Sequence, residues 1–125
     1  MGSTGANRGN GATVANVNEP AFDREKAASD AVSAINRIQA NKRHQQVDIV
    51  NPYDGHRLSA SVEKITTRDY WGRSIGRQTY TLYVYDEDNR TEYDNAERIY
   101  YNYGMESLAR VKDELRRITG VGNRR

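Results

Sequence analysis

Only 21 of the 125 residues are Val, Ile, Leu or Phe, and that scarcity is the tightest limit on what this chain can fold into. A share this low borders the composition of disordered chains. Such chains also carry a large net charge, whereas this one has +2. The apolar residues fall into regular periods, so a folded domain with a small core is expected. Nine tyrosines stand against one Phe and one Trp. Tyrosine has the bulk to complete a core and is also a rigid contact residue at surfaces. Tyr80, Tyr93, Tyr100 and Tyr103 are expected to do the first, and Tyr70, Tyr83 and Tyr85 the second.

The length fits one domain. Residues 1–17 are rich in Gly and Asn and read as a flexible tail. An α+β domain is expected over 18–120, and residues 121–125 read as a frayed basic C-terminus. The first helix has a cap candidate in Asn18, Pro20 in its first turn, and Val17 and Phe22 at staple positions. Ala28, Ala31, Val32, Ile35 and Ile38 form its stripe. Lys42, Arg43 and His44 would then lie at its C-terminal end, where the helix dipole favours cations.

Strand patterning follows. Val47 and Ile49 alternate with polar residues, as do Leu58, Ala60 and Val62, around the turn residues Asn51-Pro52-Tyr53-Asp54-Gly55. Pairing Val50 with Arg57 sets Ile49 opposite Leu58 and Val47 opposite Ala60, so one register gathers the apolar set on one face. Arg77 to Tyr85 is a third strand, rich in β-branched and aromatic residues. The run Asp86-Glu87-Asp88-Asn89 reads as a turn into a short fourth strand, Arg90 to Asp94. This pairing places Tyr85 opposite Arg90 and Leu82 opposite Tyr93. Asn95 to Gly104 has a cap residue and a terminal glycine and reads as a short helix, with a fifth strand as the alternative for its tyrosine run. The last helix carries Leu108, Val111, Leu115 and Ile118, with Glu106–Arg110 and Asp113–Arg117 as i,i+4 pairs and Gly120 just past its end. The expected architecture is an N-terminal helix, a four-stranded antiparallel β-meander, a short helix and a C-terminal helix, with the helices on one face of the sheet.

Several chemistries find no support. There is no cysteine, which removes disulfides, thiolate metal sites and cysteine nucleophiles and suits a cytoplasmic setting. No apolar run is long enough to span a membrane, and no membrane partner is expected. The acidic stretch from Asp86 lacks the glycine and the ligand spacing of a calcium loop. His44 and His56 stand in no ligand spacing, and no nucleophile or phosphate-loop motif is present. No enzyme activity, catalytic residue, metal or cofactor is expected.

Two surfaces remain. The loop Thr66 to Gly76 is long for a hairpin connection and carries Arg68, Tyr70, Trp71 and Arg73, with Arg77 just beyond. The open sheet face carries Tyr83, Tyr85 and Arg90. Arg, Tyr and Trp are the residues enriched at interface hot spots, and 15 of the 19 basic residues are Arg. The expected function is a small non-catalytic protein-binding module. By analogy alone, a phage or mobile-element inhibitor of a host defence or regulatory protein is the specific form. The alternative is a nucleic-acid-binding accessory protein. Residues 57–77 hold five basic and two acidic residues, interleaved with Tyr70 and Trp71, which suits single strands.

Overall fold

The computed structural model describes residues 21–122. The order is helix α1 (Arg24–Asn36), strands β1 (His44–Val50), β2 (Arg57–Ile65), β3 (Thr79–Arg90) and β4 (Ala96–Met105), then helix α2 (Leu108–Thr119). The strands form one antiparallel sheet in the order β1-β2-β3-β4. The α+β class holds, but the expected short helix between the last strand and the last helix is absent: residues 96–105 are a strand.

Three observations explain the difference. The acidic run does not turn the chain, because its charges are met across the sheet. His56 Nδ1 lies 2.7 Å from Asp86 Oδ2, and Asp88 accepts the Arg57 N–H at 2.8 Å and its Nε–H at 2.9 Å. The strand therefore runs on to Arg90. The turn falls instead at Thr91–Asn95, where Thr91 N–H donates to the Asn95 carbonyl at 2.8 Å and Asp94 adopts φ 64°. Asp is one of the few side chains that tolerates that region. Residues 96–105 then meet a full-length strand to pair with, and a run rich in Tyr and Ile fits that pleated surface. Gly104, which resembled a helix stop, has φ 76° inside a strand whose register slips between Tyr80 and Leu82. It serves a bulge there. In the true register Leu82 faces Asn102 and Tyr85 faces Arg98, in place of the expected Tyr93 and Arg90.

The first hairpin matches the sequence reading: Val50 pairs with Arg57, Ile49 with Leu58 and Val47 with Ala60. Its turn is closed by Asn51, whose side chain accepts the Tyr53 N–H at 2.9 Å, and by Gly55 at φ 79°. Helix α1 starts later than expected. Asp23 caps it, accepting the Lys26 N–H at 3.0 Å, while Val17, Asn18 and Pro20 lie outside the described residues, as does the tail 1–17. The helix also ends earlier, at Asn36, so Lys42, Arg43 and His44 sit beyond it and His44 opens β1. Its last turn is served instead from α2: Lys112 Nζ donates to the Asn36 carbonyl at 3.3 Å, and Arg116 donates to Asn36 Oδ1 at 3.2 Å. Cations at a helix C-terminus offset its partial negative charge.

Helix α2 is capped by Ser107, which accepts the Arg110 N–H at 3.2 Å, and stopped by Gly120 at φ 73°. Its ion pairs are Asp113–Arg116 and Glu114–Arg117, one residue closer in spacing than the pairs read from sequence. The core lies between the sheet and the two helices. Ile35, Val62, Leu82, Val84, Val111 and Leu115 are its fully buried large residues. Val121, just beyond α2, joins them.

The core is therefore mostly aliphatic, and the tyrosines divide otherwise than expected. Tyr80 is buried and Tyr100 packs at the margin, but Tyr93 and Tyr103 are 77% and 70% exposed. Tyr93 left the core because it lies in the 91–95 turn. Tyr103 left it because a strand sends alternate residues to opposite faces.

Leu82→Ala should destabilise the fold by about 3 kcal/mol through lost burial and a residual cavity, read by urea denaturation. A second expectation concerns pH. The hydrogen bond to Asp86 raises the His56 pKa above its usual value, with Asp54 and Asp88 adding to the effect. A raised folded-state pKa stabilises fully below the unfolded value and is lost as pH rises through the folded one. Wild type should therefore lose stability relative to His56→Gln as pH rises above the ordinary imidazole pKa of about 6.5; equal slopes for the two proteins in thermal melts would refute this.

Candidate interaction surface

The connection between β2 and β3 folds as a small hairpin of its own. Ile75 N–H donates to the Thr67 carbonyl at 2.9 Å, Arg68 bridges to Ser74, and Asp69 N–H donates to the Arg73 carbonyl at 2.8 Å. Gly72 N–H returns to the Asp69 carbonyl at 3.0 Å, which makes Tyr70 and Trp71 the central residues of a tight turn. The Asp69 side chain wires this turn. One oxygen accepts the Trp71 and Arg73 N–H groups at 3.0 and 2.9 Å, and the other takes the Arg73 Nε–H at 2.8 Å. Gly72 supplies the positive φ, 83°, that lets the chain descend. Arg68 Nη1 donates to the Gly72 carbonyl and to Ser74 Oγ at 3.1 and 3.3 Å.

The result is an ordered aromatic tip. Tyr70 is 92% and Trp71 73% exposed. Their rings meet edge to face at 5.4 Å, and the Arg73 guanidinium lies 5.2 Å from the Trp71 ring. Neither aromatic folds back onto the core, and Ile75 beside them is also exposed.

The sheet face turned away from the helices holds a second aromatic group. Tyr83 and Tyr85 lie there as expected, half-buried. Tyr83 stacks on Tyr85 at 6.4 Å and approaches Tyr101 at 5.0 Å, and Tyr101 stacks on Tyr103 at 5.8 Å. Arg98 covers the Tyr101 ring at 5.0 Å. Tyr101, Tyr103 and Arg98 are the members of this ladder that the sequence reading missed. Their spacing of two in a strand was the available signal, hidden by the helix assigned to 95–103. The ladder reaches toward the loop, because the strand pairs Ile65–Thr79 and Tyr80–Met105 place the loop root and the end of β4 at one end of the sheet. Arg77 lies exposed in the descending limb of the loop. Arg90 is not part of either group. It sits at the opposite end of the sheet, 3.9 Å from Glu87.

The His44 contacts do not have the geometry of a catalytic triad. His44 Nε2 is 3.1 Å from Ser61 Oγ, but the nearby carboxylate, Glu63, lies 4.0 Å from that same nitrogen. A catalytic triad needs its orienting carboxylate on the other ring nitrogen. Among the described residues, no cluster of three or more His, Cys, Asp or Glu is placed to hold a metal, and no helix is long and apolar enough to cross a membrane. Comparison with protein-family models, curated proteins and solved structures finds no match.

Asp69→Ala should release the tip. The Trp71 and Arg73 amides are expected to exchange with deuterium at least about tenfold faster, at nearly unchanged global stability. Unchanged exchange would mean that Asp69 does not hold the turn.

Proposed function

We propose that this chain is a non-catalytic protein-binding module whose contact surface is the 66–78 loop, extended by the tyrosine ladder. The observation that supports this most is the pair Tyr70 and Trp71, side by side and exposed on a turn that the chain itself holds rigid. Large aromatics left in water cost hydrophobic free energy that a partner recovers, and a preformed turn lowers the entropy lost on binding. The ladder supplies further aromatic area at the same end of the sheet. The absence of cysteine supports a cytoplasmic setting. No residue bears on the narrower role of an inhibitor carried by a phage or mobile element.

The second reading, nucleic-acid binding, is favoured by one feature. Arg68 and Arg77 flank the aromatic tip without forming an ion pair among the described residues. Phosphate binding would weaken steeply with salt.

Trp71→Ala should weaken binding to a protein captured by the intact chain by at least about 2 kcal/mol, roughly thirtyfold. It should leave stability within about 0.5 kcal/mol of wild type, since the side chain supports nothing beneath it. Calorimetry on the captured partner, after nuclease treatment, reads the first; denaturation reads the second. Full binding by Trp71→Ala would refute the assignment, and capture abolished by nuclease would favour the second reading.

A further inference from the structure

A cleft of about 440 Å³ opens at the root of the loop, lined by Asn41, Arg43, Lys64, Ile65, Thr66 and Arg68. Among the described residues none of its three cations is in an ion pair. Two of them are nonetheless held in place. Lys64 Nζ donates to the Ala40 carbonyl at 3.1 Å, and Arg68 donates to Gly72 and Ser74 oxygens. Their bonds go to neutral acceptors, so their charge is fixed in position and left uncompensated. Ile65, 43% exposed, gives the cleft an apolar patch. Six acidic residues lie at the far end of the sheet, in the 51–56 turn and the β3–β4 hairpin: Asp54, Asp86, Glu87, Asp88, Glu92 and Asp94, with Arg57 and Arg90 pairing two of them. The domain is thus polarised along its strands.

Resting on the loop reading above, we infer that the partner presents an acidic peptide segment, whose carboxylates enter the Arg43–Lys64–Arg68 cleft while a neighbouring apolar side chain packs on Trp71 and Tyr70. Charge complementarity selects the occupant: the cleft is cationic, and the apolar tip adjoins it. A nucleic-acid strand fits less well. Its phosphates continue beyond a short cleft, and on the open face they meet Glu63 and Asp48. The tip also does not offer two parallel ring faces to successive bases. Tyr70 and Trp71 stand at 89° to each other, and the ladder tyrosines lie against one another and Arg98. A short acidic segment can keep to the side of the cleft turned from Glu63, which borders Arg43 and Lys64.

The test is a random peptide library displayed on phage and panned against the full chain, with affinities of the selected peptides for wild type and every variant measured by calorimetry, and the emission of Trp71, the chain's one tryptophan, followed in wild type. Selected peptides should be enriched in Asp and Glu beside an apolar residue, shift Trp71 emission to the blue, and bind Trp71→Ala poorly. Arg43→Gln leaves every bond within the loop in place and should weaken them several-fold; Arg43→Gln with Arg68→Gln should weaken them about tenfold or more. Peptides without acidic enrichment that still depend on Trp71 would overturn the acidic partner and leave the loop reading standing. Peptides that bind Trp71→Ala fully would overturn both. A panning that yields no binder, or displacement of the peptides by oligo-dT with a steep salt dependence, would also overturn the inference.

Discussion

Arg57 and Asp88 meet across the β2–β3 pair through backbone and guanidinium donors together, and the His56–Asp86 contact lies beside them. Four consecutive polar residues would otherwise break the strand. Held this way, β3 reaches Arg90 and the reversal is delayed to Thr91–Asn95. Everything after it moves in register. β4 becomes a ten-residue strand, its odd-numbered tyrosines Tyr101 and Tyr103 face away from the helices, and Tyr100 is left to close the core margin. The same charge pairing explains why the far end of the sheet tolerates so many carboxylates.

The aliphatic scarcity has a related solution. The chain builds its core around six fully buried large side chains, joined by Ile38, Ile49, Leu58, Tyr80, Met105, Val121 and alanines. Ala27 and Ala31 line α1, and Ala60 lies on β2. Small residues bring a helix close to the sheet, so little volume is left to fill. That is why only Tyr80 and, at the margin, Tyr100 serve the core among the described residues, and why most of the tyrosines remain at the surface.

Much of this was legible in the sequence. The first hairpin was readable to its register because Val47, Ile49, Leu58 and Ala60 leave one pairing that gathers them on one face. Helix α2 was readable from its stripe and Gly120. The loop residues Arg68, Tyr70, Trp71, Arg73 and Arg77 do lie together on one projection. What escaped depends on contacts remote in sequence. The continuation of β3 rests on partners 30 and 31 residues away. The end of α1 is set by side chains from α2. The rigidity of the loop comes from one carboxylate taking three donors, which composition does not reveal. The ladder members Arg98, Tyr101 and Tyr103 were lost with the misplaced turn.

The hydrogen bonds that shape the aromatic tip all close between Thr67 and Ile75. The tip needs nothing from the sheet except two anchor points. Its conformation is therefore a property of a nine-residue segment, separable from the scaffold that carries it. A chain wired this way can change Tyr70, Trp71 or Arg77 without disturbing its core, and the segment should keep its shape when transplanted between the strands of an unrelated hairpin.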